Sequence, residues 1–236
     1  HNTMPRTARA SVADLCSHVM SRGNARATVF HDGSDYHTFI DLMRRAKKRM
    51  PMRVLAWCLM PNHFHLVLRP HRDGDLGRWM HWLLTAHVAR HRSRYGTVGR
   101  IWQGRFKAAP IQEDEHLAIV LRYVERNPLR ARLVDRAEHW RWSSLRARTS
   151  GTDPLLSGSP APLPEDWQAF VHRPRTEAEL ERVRESIARG GPFGDPVWTR
   201  GTAERLGLLG SLRPRGRPPT VGRGSGRGRS ATAPKN

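Results

Sequence analysis

The sequence predicts an α+β fold, an antiparallel sheet with helices packed on one face. Three observations predict it. Strand-like and helix-like stretches interleave in the order β-α-β-β-α-β-α over residues 12–127. Two of the strands are joined by a short turn at Pro61-Asn62, which makes them an antiparallel hairpin. The helical stretches carry one apolar stripe each, so they need a sheet to cover. This order is that of a split β-α-β, ferredoxin-like arrangement.

Each element has a local reason. Residues 12–20 alternate as a strand does, and Ser21-Arg22-Gly23-Asn24 turns the chain. From Ser34, read as an N-cap, Tyr36, Phe39, Ile40 and Met43 recur at helical spacing. The basic run 44–49 suits the negative end of that helix, and Pro51 stops it. Residues 53–59 are a continuous apolar strand, and 63–69 form the second arm of the hairpin. Residues 75–95 read as a long helix with Leu76, Trp79, Leu83 and Ala86 inside. Residues 101–111 are an irregular strand around Gly104. Asp114 caps a helix over 115–127, whose stripe is Leu117, Val120, Leu121 and Val124, and Pro128 ends it.

Composition divides the chain. The compact pattern covers residues 4–150. Gly, Pro and Ser cluster over 150–164, and short helical pieces follow, chiefly 176–189, so residues 151–209 are expected to be a helical extension. Residues 210–236 hold six Arg, one Lys and no acid, too little apolar surface to fold alone, and are expected to be a disordered basic tail.

Charge narrows the partners. There are 41 Lys and Arg against 21 Asp and Glu, a formal net charge of +20. Such a chain attracts polyanions, and nucleic acid comes first because phosphate neutralisation releases counterions. No run of 18 apolar residues is present, so no span of a bilayer is expected. The start of the sequence shows no apolar leader, and Cys16 and Cys58 read as small buried thiols rather than a disulfide, so a cytoplasmic protein is expected.

Two short patterns carry chemistry. In His63-Phe64-His65-Leu66-Val67-Leu68, alternation puts both imidazoles on one face and Phe64, Leu66 and Leu68 on the other. Two imidazoles about 6–7 Å apart along a strand suit one transition metal, or, with oxygen ligands added, Mn²⁺ or Mg²⁺. They equally suit half-buried strand histidines. In Leu121-Arg122-Tyr123-Val124-Glu125-Arg126-Asn127-Pro128, Tyr123 and Asn127 share a helical face. They offer a nucleophile and a hard oxygen ligand, or else a half-buried aromatic and a helix-end amide.

Several surfaces suit nucleic acid. Arg105 and Lys107 stand beside Trp102 and Phe106. Arg22 and Asn24 lie on the loop after the first strand, and Arg90, Arg92 and Arg94 load the end of the long helix. Arg215 and Arg217, within Pro214-Arg215-Gly216-Arg217-Pro218, resemble an AT-hook core suited to a narrow minor groove.

Five motifs in order resemble the REP-associated tyrosine transposases, within the single-tyrosine HUH superfamily. They are Ser21-Arg22-Gly23-Asn24, residues 59–66 around His63-Phe64-His65, Trp102-Gln103-Gly104-Arg105-Phe106-Lys107, Leu121-Arg122-Tyr123 followed by Asn127-Pro128, and Trp142-Ser143-Ser144. The resemblance implies a unit over residues 4–150 that cleaves and rejoins single-stranded, hairpin-forming repeat DNA. It implies Tyr123 as nucleophile; the chemistry then asks for a base, water or Glu125, although Glu125, two residues on, faces a different side of the helix. It also implies His63, His65 and Asn127 as ligands of Mg²⁺ or Mn²⁺, no obligate protein partner, and a monomer rather than a homodimer.

Overall fold

The computed structural model describes residues 11–151, 153–174 and 176–213. The tail that contains Arg215 and Arg217 lies outside the described residues. The strands are β1 (Ser17–Arg22), β2 (Met52–Met60), β3 (His63–Pro70) and β4 (Lys107–Pro110). They form one antiparallel sheet in the order β2-β3-β1-β4. The longer helices are α1 (Gly33–Arg49), α2 (Asp75–Tyr95) and α3 (Glu115–Glu125). After α3 come a single turn, α4 (Asn127–Arg130), and then α5 (Ser144–Ser150), α6 (Trp167–His172), α7 (Glu177–Arg189) and α8 (Pro196–Arg205).

The element order is the expected one, and the departures have local causes. β1 starts five residues later than the alternation suggests, because Asp14 adopts a left-handed backbone (φ 56°) that breaks the extended chain. β4 is short because Gly104 (φ 67°) turns the segment before it. The cap of α1 is Asp32, not Ser34: its carboxylate accepts the backbone N–H groups of Ser34 and Asp35. α3 stops at Glu125, before Pro128, which has no N–H to continue the ladder.

The sheet has two cores. On one face Val19, Trp57, Leu59, Phe64, Leu66 and Leu68 meet Phe39 and Met43 of α1 and Leu76, Trp79 and Leu83 of α2. On the other, Ala56, Cys58, Met60 and Val67 meet Leu117, Val120, Leu121 and Val124 of α3, backed by Trp167, Val171 and Val183 from α6 and α7. The antiparallel sheet flanked by helices is as expected, but the helices cover both faces rather than one. The reason is in β2, apolar at every position from Val54 to Met60, as a strand buried on both sides must be. The helices after residue 151 thus complete the second core, with α7 packed against α3, β1 and β4. Cys16 and Cys58 are free and buried. Among the described residues no helix is long and apolar enough to cross a membrane.

Candidate active site

The site begins at the end of β1. Gly23 donates its N–H to the carbonyl of Asn62 at 2.8 Å, and Val29 and Phe30 donate theirs to Pro61. The approach is so close that a Cβ on Gly23 would sit 2.2 Å from the Ala27 carbonyl oxygen, so only glycine fits. The Asn62 amide also donates to the Arg26 carbonyl, at 3.1 Å. This pins the Pro61-Asn62 turn and, one residue on, His63.

Both histidines of the pair are held from behind. His63 Nδ1 lies 2.7 Å from Asn62 Oδ1. That oxygen only accepts, so Nδ1 carries the proton and Nε2 keeps its lone pair. His65 Nδ1 lies 2.9 Å from Nε2 of His18, a β1 residue on the same face. With the shared proton on His65 Nδ1, its Nε2 too is a free donor of electrons. The rings of His63 and His65 stand 5.1 Å apart and nearly perpendicular. Burial pushes His18 down to about 3, and pushes His63, with help from the cations Arg22 and Arg130, down to about 4. His65 is held well below its ordinary value, first by burial and then by His18 and His63. Neutral imidazoles with outward Nε2 lone pairs are what a divalent cation requires of nitrogen ligands.

Helix α3 packs on β2 and β3. Tyr123 of α3 sets its ring edge-on to His65 at 5.7 Å and to His18 at 5.8 Å. Asn127 is fully buried just past the end of α3. Its amide donates to the Tyr123 carbonyl at 3.3 Å, and its Oδ1 accepts from Arg130 at 2.7 Å. The amide therefore caps the broken helix end and offers one oxygen, already shared with a guanidinium. Arg130 also stands over the Tyr123 ring, 5.9 Å from its centre. From the other side Leu180 and Pro174 close over Tyr123 across a cavity of about 370 Å³, and the guanidinium of Arg184 on α7 lies within Coulomb range of the tyrosine. Tyr123 is only 5% exposed.

Glu125 is not a base for Tyr123. It is fully buried, accepts from Ser144 Oγ, Arg148 and Trp167 Nε1, and faces away from the histidines. This network explains Trp142-Ser143-Ser144: Ser144 also accepts the Trp57 N–H, while Ser143 caps α5. A separate acid cluster, Asp114, Glu115 and His116, brings three ligand atoms within 4.8 Å of one another at the start of α3 and is compatible with a divalent cation. There Asp114 Oδ1 already accepts the N–H of His116 and contacts its Nδ1 at 2.8 Å.

The basic residues divide. Arg22 ends β1 beside the histidine pair, and Asn24 is exposed next to it. Arg105 is exposed, and Lys107 bonds the Ala188 carbonyl at the end of α7. Arg90 is exposed, and Arg92 bonds the Gly99 carbonyl. Arg94 does not present a free charge, because it forks onto Asp32 at 2.6 Å and Asp35 at 2.8 Å and ties α2 to α1. Trp102 and Phe106 are core aromatics, at 5% and 6% exposure.

The residues missed in the sequence are His18, Asn62, Arg130 and Arg184. His18 had a signal: it alternates with Met20 and Arg22 onto one strand face. Which strand that face would adjoin was not legible.

Fold and site together define a single-tyrosine transposase scaffold. The chain matches the family model described as IS200-like transposase over residues 11–127. It is, more narrowly, a homologue of the REP-associated tyrosine transposases of the HUH superfamily. A Haemophilus influenzae protein provisionally named REP-associated tyrosine transposase is 26% identical over 146 residues, 57% of this chain and 77% of its own length. A solved REP-associated tyrosine transposase bound to a REP hairpin superposes with a TM-score of 0.53 at 20% identity, over 66% of this chain and 92% of that one, which establishes a shared fold. A Deinococcus radiodurans transposase structure matches more loosely, with a TM-score of 0.37 at 19% identity over 51% of this chain and 95% of that one.

Proposed function

We propose that this chain is a divalent-cation-dependent endonuclease and strand transferase that acts on single-stranded, hairpin-forming DNA through Tyr123. One observation carries the reading: the Tyr123 ring stands 5.7 Å from His65, whose neighbour His63 is 5.1 Å away, with both Nδ1 atoms occupied from behind. The solved relative's REP hairpin motivates the choice of hairpin repeats as substrate.

His63 and His65 through Nε2, and Asn127 through Oδ1, would hold Mg²⁺ or Mn²⁺. When bound, such an ion neutralises charge on the scissile phosphate and leaves positions open for it. Tyr123 Oη attacks phosphorus in line. The Oη–P bond forms as the bond from phosphorus to the 3′-oxygen breaks. The phenolic proton passes to water, and a water returns one proton to the departing oxygen, which leaves as a 3′-hydroxyl. The products are a 5′-phosphotyrosine and a free 3′ end, so an incoming 3′-hydroxyl reverses the step without ATP. Arg130 and Arg184 hold positive charge beside the phenol where negative charge develops. Arg22 beside the histidines, with Asn24, Arg90, Arg92, Arg105 and Lys107, would track DNA phosphates. In the tail, Arg215 and Arg217 would add affinity. A monomer in the cytoplasm accommodates this chemistry.

The test is a covalent adduct. Wild type with Mn²⁺ and a hairpin oligonucleotide should give a denaturation-resistant protein–DNA band, and Tyr123→Phe should give none while binding the hairpin within about threefold. His63→Ala should weaken Mn²⁺ binding by at least tenfold, while Asp114→Ala leaves it unchanged. The reverse result would move the cation to the acid cluster. A second reading, a DNA-binding protein of weak activity, has one observation in its favour, since Arg130 already occupies Asn127 Oδ1. Wild type that binds hairpins and never forms the adduct would establish it.

A further inference from the structure

We propose that the groove between α2 and the segment leading into β4 seats unpaired nucleobases, on the opposite side of the sheet from Tyr123. The inference rests on the reading above that the ligand is DNA.

The groove encloses about 960 Å³. Its charge is one-signed: Arg78, Arg92, Arg100, Arg105 and His81 line it, and no carboxylate does. Arg78 and Arg92 are partly spoken for, by Asp75 and by the Gly99 carbonyl. Arg100 and Arg105 are exposed and have no ion pair or hydrogen bond to any described residue. The floor is apolar, built from Leu84 and Val88 of α2 with Trp102 and Phe106. A small anion would not need such a floor; an apolar ring joined to a phosphate would. Unpaired bases are favoured over a stem because a stem offers its base faces to nothing.

A path joins this groove to the tyrosine. Arg105 also lines a smaller cleft with Met20, Arg22, Gln103 and Lys107. That cleft lies at the β4 edge of the sheet, and Arg22 reaches the histidine pair. A single strand would therefore leave the groove, round the β4 edge along Arg105, Lys107 and Arg22, and present its phosphate to Tyr123.

Thr85→Trp places a bulky ring in the groove from an exposed position on α2, and Arg100→Ala removes an unpaired charge. Affinity is measured for a hairpin with unpaired flanks and for the same stem closed and blunt. Each variant should weaken the flanked hairpin by about tenfold and the blunt stem by less than twofold. 5-Iodouracil in the flank should photocrosslink to the tryptic peptide containing Trp102. Equal losses for both DNAs, or no loss for either, would overturn the proposal. The catalytic reading fails separately. If wild type forms no adduct yet Thr85→Trp still loses only the flanked hairpin, the groove stands and the nuclease falls. If the adduct forms and Thr85→Trp binds normally, the groove alone falls.

Discussion

The two faces of the sheet are made from the same four strands and have little else in common. The Phe64 face is mainly apolar and aromatic, and Phe30, Phe39, Phe64 and Trp102 interlock there around one buried histidine, His87. The His65 face buries polar groups under α3: His18, His65, Glu125 and Asn127 are each at most 3% exposed. The first face earns stability. The second uses part of that stability to hold charges and lone pairs away from water, as sites built for chemistry do.

Mutations should separate the two roles. Phe64→Ala should cost most, about 3–5 kcal/mol, read as a lower urea midpoint. Glu125→Gln should cost nearly as much, about 3–5 kcal/mol, because it strands Arg148 at a buried position; a variant that keeps its stability would show that the network contributes nothing. His18→Leu should leave the fold intact but weaken Mn²⁺ binding about 10- to 100-fold. His18→Gln, whose amide oxygen can still accept from His65 Nδ1, should restore most of it. Equal defects in both variants would reduce His18 to packing.

Acid acts on both faces of the sheet at once and gives the most diffuse effect. The folded state holds His18 near 3 and His63 and His87 near 4, below the ordinary histidine value of 6.5. The unfolded chain therefore binds more protons, and stability rises with pH in this range. It should be complete above about pH 6.5 and fall progressively from there to about pH 3. Urea midpoints at pH 7, 5.5 and 4 check the slope, and His87→Phe should flatten it from the other face of the sheet.

The contrast also explains what the sequence disclosed. Phe64, Leu66 and Leu68 alternate, so the first core and the common side of His63 and His65 could be read directly. Tyr123 and Asn127 were placed by helical spacing. The second core was harder, because Val67 and Cys58 look like ordinary strand residues until α3 and α7 cover them. The His18–His65 contact depends on the β1–β3 register, which no local pattern encodes. Helical spacing already set Glu125 on another side of α3 from Tyr123, but it says nothing of an arginine 23 residues away. Asn127 looked like the last residue of a helix, whereas the chain breaks at Arg126 and its amide is spent in part on the break.

The glycine knot at the end of β1 has one more consequence. Gly23 is tied to Asn62, Asn24 to the Ile101 carbonyl, and the Arg22 carbonyl to Gln103, all through main chain. These bonds join three loops: the one after β1, the histidine turn, and the segment that walls the α2 groove. Backbone bonds of this kind do not change when side chains do. The knot thus acts as a ruler. If the groove reads a strand and Tyr123 cuts it, as proposed, the knot would keep the span between them constant, so the bases preferred in the groove could drift over generations while the number of nucleotides to the cleaved phosphate stayed the same.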